Sequence, residues 1–95
     1  MTGETKMNTT TTQLINAKGN PVANHFVIRD GEAEYLQSYK SIVVMQNDDG
    51  ITFGRDWDYS PTTLRHVKHY LGISDSLKAI KQDIQQGLYN YDATM

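Results

Sequence analysis

Three turn signals in the first half of the chain do most to limit its fold. Lys18-Gly19-Asn20-Pro21, Asp30-Gly31 and Asn47-Asp48-Asp49-Gly50 supply residues that accept positive φ, and they alternate with runs rich in Val, Ile, Phe and Tyr. Such spacing suits short antiparallel strands joined by tight turns. Val22–Arg29 alternates with period two, the mark of a strand. Val22, Phe26 and Ile28 fall on one face, with Asn24 as a polar exception; Ala23, His25, Val27 and Arg29 fall on the other. A first hairpin is therefore predicted, Gln13–Ala17 against Val22–Ile28. Ala33–Met45 reads as one long strand, with a bend or bulge near Ser38 reconciling its two imperfect halves. Ile51-Thr52-Phe53 then returns against Ile42–Met45 across the Asp49-Gly50 turn.

The chain changes character at Ser60. A Ser-Pro pair is a helix start, because Ser accepts an orphan amide bond and Pro fits the first helical position. Leu64, Val67 and Leu71 repeat at three and four, and Gly72 supplies a left-handed stop. Ser74 or Asp75 is expected to cap a second helix with the stripe Leu77, Ile80 and Ile84, ended by Gly87. Leu88, Tyr89 and Tyr91 are expected to fold back. Strands followed by helices give an α+β fold, a four-stranded antiparallel meander followed by two helices packed on one face. The expected core is Phe26, Ile28, Ile42, Val44, Phe53, Leu64, Val67, Leu71, Ile80 and Ile84.

Ninety-five residues correspond to one small domain, placed here at 12–91 between a disordered N-terminal tail (1–11) and a frayed C-terminus (92–95). Met7 offers a second start point. Cysteine is absent, which excludes disulfides, thiolate nucleophiles and cysteine-held metals. No apolar segment resembles a signal peptide or a membrane span, so a cytoplasmic location without membrane contact is expected. The net charge is −2, divided as −3 over residues 1–60 and +1 over 61–95. Neither half carries the positive field typical of a protein held on phosphates.

Four groups of residues could carry function. Gly54–Thr63 brings Arg55, two acids, Trp57, Tyr59 and three hydroxyls to a strand-to-helix junction. It reads either as an anion site on the Ser60, Thr62 and Thr63 amides with Arg55, or as a helix cap under an aromatic lid. Tyr35, Gln37, Ser38, Tyr39 and Ser41 form a polar-aromatic strand suited to a protein contact, since Tyr brings large area at small entropic cost. Arg65, His66, Lys68 and His69 make one helix face basic, which is the feature that points to nucleic acid. His66 and His69 stand at i, i+3, as metal ligands can, but without a third ligand no metal site is expected. No catalytic triad, glycine-rich phosphate loop or paired-carboxylate spacing is found, so neither an enzyme nor a cofactor is expected.

Tyr35-Leu36-Gln37-Ser38-Tyr39-Lys40-Ser41, Trp57-Asp58-Tyr59-Ser60-Pro61-Thr62-Thr63, His66 and Tyr70-Leu71-Gly72 resemble a family of small uncharacterised proteins of bacteriophages and bacterial mobile elements. Val22–Phe26 fits the same pattern, and the resemblance covers about residues 12–72. It implies a phage or prophage origin and carries no activity. Two functions are weighed. The first is a non-enzymatic accessory protein that binds a host or phage protein, such as host machinery or a defence component, through Tyr35, Gln37, Tyr39, Arg55, Trp57 and Tyr59. The alternative is a weak nucleic-acid binder using Arg65, His66, Lys68 and His69. Sheet edges with few charges further suggest a homodimer with Tyr35 and Tyr39 near the contact.

Overall fold

The computed structural model describes residues 9–95. Most of the tail assigned to 1–11, with Met7, lies outside the described residues. The fold is α+β. Five strands form an antiparallel meander: β1 (Thr10–Ile15), β2 (Pro21–Asp30), β3 (Ala33–Ser38), β4 (Ser41–Asn47) and β5 (Gly50–Gly54). Two helices follow, α1 (Pro61–Leu71) and α2 (Leu77–Gln85), and a short β6 (Asn90–Asp92) then pairs parallel to β5. A parallel neighbour requires a crossover connection, and the two helices provide it. The sheet is thus six-stranded and mixed rather than a four-stranded meander. At its two ends it takes in residues assigned to the tails: Thr10 and Thr11 pair with Arg29 and Ile28, and Asp92 pairs with Gly54.

The segment Ala33–Met45 is two strands, not one. Tyr39 takes φ 55, and Ser38 pairs with Ser41 across a two-residue turn. The irregularity expected near Ser38 lies instead in β4, where Leu36 pairs with Val44 and Gln37 with Ile42. Val43 is the extra residue of this bulge, so both Val43 and Val44 are fully buried.

A second irregularity re-phases β2. Asn24 takes φ 62, and the β1–β2 register shifts alongside it. A one-residue slip sends every following side chain to the opposite face. Val22 still packs on the core, but beyond Asn24 the inward residues are His25 and Val27, while Phe26 and Ile28 leave the core. The core is Leu14, Leu36, Val43, Val44, Phe53, Trp57, Val67 and Ile80. Leu64, Leu71 and Ile84 pack against it partly buried, whereas Phe26, Ile28 and Ile42 do not belong to it.

The α1 boundaries follow from local chemistry. Ser60 Oγ accepts the Thr63 amide at 3.1 Å, Pro61 opens the helix, and Gly72 closes it at φ 71. The Gly72 and Ile73 amides then reach the His69 and Lys68 carbonyls, a Schellman closure. The α2 cap is Ser76, not Ser74 or Asp75, with its hydroxyl accepting from the Ala79 amide at 3.2 Å. Gly54 is fixed by space, since a Cβ there would stand 2.3 Å from the Ile42 carbonyl oxygen.

Trp57 is 3% exposed and meets Phe53 edge-to-face at 4.9 Å between centroids. Truncating a core Trp removes transfer energy and leaves a cavity, so Trp57→Ala is expected to cost about 3–5 kcal/mol, read as a shift in urea midpoint. Ser60→Ala removes a cap alone and is expected to cost about 1 kcal/mol. An unchanged midpoint in either variant contradicts the corresponding assignment.

Candidate functional site

The Tyr39-Lys40 turn folds over β2 because the Tyr39 amide donates to the Asn24 carbonyl at 2.7 Å. Both residues hold left-handed backbone that a side chain disfavours; Asn tolerates it, and Tyr pays more heavily. Non-glycine residues held this way concentrate at functional sites. Beside them lies a cleft of about 580 Å³ lined by Asn24, Ser38, Tyr39, Ser41, Asp56 and Tyr59 among others, reaching Val43 and, on α1, Thr63. Tyr39 and Tyr59 stand 63% and 81% exposed on its flanks.

The walls are cross-braced. Ser41 Oγ donates to Asp56 Oδ2 at 2.9 Å, fixing the loop after β5 to the start of β4. Under the turn, His25 is buried, and its Nδ1–H donates to the Ala23 carbonyl at 2.8 Å. That tautomer leaves Nε2 to accept the Ser38 hydroxyl at 3.0 Å. The His25 ring also meets Tyr39 edge-on at 5.7 Å and lies 4.5 Å from the His66 ring. Each polar group of the buried pair therefore has a partner, and the network stiffens the cleft wall.

The residues named from the sequence are divided among several places. Tyr39 and Tyr59 come together at the cleft. Arg55 stands beyond Asp56, lining an adjoining groove of about 270 Å³ with Lys40 and Met95. Trp57 is a core residue and cannot be a free contact. Tyr35 alternates with Glu34 and Leu36, which face α1 and the core, so it points from the opposite side of the sheet, as does Gln37. Asn24 and His25 were missed as part of a site because pairing between β2 and β3, not chain proximity, brings them to Ser38 and Tyr39.

The basic face of α1 is also split. His66 is half-buried against His25, and His69 Nε2 donates to the Ile15 carbonyl at 2.6 Å. Arg65 is exposed and Lys68 half-buried. Ser60 serves as the cap. No group of three or more potential metal-ligating residues occurs among the described residues.

These features define a small α+β domain with a tyrosine-flanked cleft at one end of its sheet. The chain belongs to a family of unknown function, DUF8033, whose model matches residues 4–87. No curated protein and no solved structure matches it. No helix among the described residues is long and apolar enough to cross a membrane.

Burial first, then the neighbouring charges of His25, Arg65 and His69, push the His66 imidazole below its ordinary value of 6.5. The folded state then binds its proton less readily than the unfolded chain. His66 thus lowers stability as pH falls from above 6.5 towards its folded value, and costs nothing at higher pH. His66→Gln is expected to narrow the gap between urea midpoints at about pH 7.5 and 5.5. An equal gap in the variant contradicts this role.

Proposed function

We propose that the protein is a non-enzymatic binding module whose contact surface is the cleft between the Tyr39 turn and Tyr59, and that it docks on a protein of its host or phage. The observation that carries this reading is the pair of exposed tyrosines flanking a braced cleft. Two further features support it. Aromatic side chains beside a pocket are typical anchors of protein interfaces. A rigid wall reduces the ordering cost on binding, and the Asn24–Tyr39 and Ser41–Asp56 bonds hold the wall in place. The phage origin rests on the motif resemblance alone, and a cytoplasmic site of action goes with it. The nucleic-acid alternative is less favoured, because His66 and Lys68 are half-buried and the exposed His69 is held by its hydrogen bond to the Ile15 carbonyl, which leaves Arg65 as the one exposed member without such a tie.

Affinity capture from bacterial extract, comparing the parent with Tyr59→Ala and Tyr39→Gly, tests the reading. Tyr59 is so exposed that its removal is expected to change stability by less than about 0.5 kcal/mol. Glycine at 39 suits the left-handed turn, so Tyr39→Gly removes the ring without opening the turn. The expected outcome is a protein retained by the parent, lost by both variants, with unchanged far-ultraviolet circular dichroism. Equal retention by all three proteins, or retention of nucleic acid alone, overturns the proposal.

A further inference from the structure

Two imidazoles meet where α1 rests on the cleft wall. The His25 ring of β2 and the His66 ring of α1 stand 4.5 Å apart between centroids. His25 is buried, and both its nitrogens are engaged, Nδ1 by the Ala23 carbonyl and Nε2 by the Ser38 hydroxyl. His66 is half-buried. The titratable groups at this contact from the sheet are His25 and, edge-on to it at 5.7 Å, Tyr39. Along α1 they are Arg65 and His69. Among the described residues, no carboxylate oxygen lies within 4.0 Å of a nitrogen of either ring. A proton on His66 thus finds burial and further cations in place of a counter-charge.

The same contact adjoins the two residues in left-handed backbone. Asn24 precedes His25 and Tyr39 follows Ser38, at φ 62 and 55. Such conformations persist only where neighbouring contacts over-determine them. Two hydrogen bonds do so here: Tyr39 amide to Asn24 carbonyl at 2.7 Å, and Ser38 hydroxyl to His25 at 3.0 Å. Loosening His25 removes the second tie, and the backbone strain then favours release of the first. Thr63, three residues before His66 on the same face of α1, lines the cleft. A shift of the helix at His66 therefore reaches another part of the cleft wall.

We infer that the His25–His66 contact is a proton-sensitive catch on the cleft: a proton on His66 parts the two rings, frees the Tyr39 turn and opens the cleft wall without unfolding the sheet. In the open state His66 meets water and binds its proton more readily than in the closed state, where burial and the neighbouring cations oppose it. Acid therefore shifts the population towards the open state. Opening sets in as pH falls below the ordinary value of 6.5 and stops growing below the pH at which His66 titrates in the closed state. A single such group raises the open population by at most about ten-fold between pH 7.5 and 5.5. The inference gives the cleft a pH range in which it releases its occupant; that consequence rests on the binding role proposed above, whereas the motion is measured without a partner.

Amide hydrogen exchange of the full chain, followed by NMR between about pH 7.5 and 5.5 with each rate divided by its intrinsic value, tests it. The Tyr39 amide reports the turn, and the amides of the β4–β5 ladder report global unfolding. Tyr39 is expected to be at least about ten-fold less protected than the ladder at both ends of the range, and to lose a further three- to ten-fold, roughly, on acidification. His66→Gln keeps a polar side chain without a titrating ring, and is expected to hold Tyr39 protection constant over the same range. In the parent, the His66 ring resonances give a second measure that needs no substitution: the change at Tyr39 is expected to end where that ring titrates. A Tyr39 amide as protected as the ladder, a protection indifferent to pH, a step unrelated to the His66 titration, or a step kept in folded His66→Gln overturns the inference. None of these outcomes decides whether the parent captures a protein through Tyr39 and Tyr59, so the two readings fail separately.

Discussion

The hydrogen bond from the Tyr39 amide to the Asn24 carbonyl is the constraint around which the functional end of this domain is organised. It joins two residues held in left-handed backbone, one inside a long strand and one in the following tight turn. Asn24 re-phases β2, which turns His25 inward and Phe26 outward. The inward His25 then needs partners, and Ser38 and the Ala23 carbonyl supply them. The outward Phe26 joins Ile28 and Tyr35 on the face turned away from the helices. A single backbone departure thus shapes both the cleft wall and the opposite sheet face.

The helices are held to the sheet by a thin apolar layer with polar ties at its margins. Val67 of α1 and Ile80 of α2 enter the core fully buried. Near the far end of α1, Tyr70 donates to Glu34 Oε1 at 2.7 Å, while Arg29 pairs with the other carboxylate oxygen. These bonds, Tyr70 first, hold the Glu34 carboxyl below the usual carboxylate range. Burial, together with that same bond, pushes the Tyr70 hydroxyl well above its ordinary value. The depressed Glu34 group contributes stability above its unfolded range near 4.5, and that contribution is lost as pH falls through the folded value. At the other margin, Lys81 and Asp58 link α2 to the loop before α1 at 3.5 Å. An exposed pair of this kind adds only about 0–1 kcal/mol.

What the amino-acid order determined by itself was local. Ser60, Pro61 and Gly72 set the limits of α1 because caps and left-handed stops act within a turn of the chain. The α+β class and the turns at Gly19, Gly31 and Gly50 were legible for the same reason, whereas the Tyr39-Lys40 turn, which has no glycine, was not. The pairs Val44 with Phe53 and Val67 with Ile80 were legible as core from their spacing. Only the tertiary structure decided which face of β2 is buried, because the period-two pattern of Val22, Phe26 and Ile28 gives no sign of the slip at Asn24. Likewise, the parallel seat of β6 depends on where two helices return the chain to the sheet. The cleft depends on β2, β3, the loop after β5 and α1 meeting in space. Local signals come from a residue's own backbone preferences, whereas phase, pairing and cleft are set by what the opposing strand and helix offer to bury.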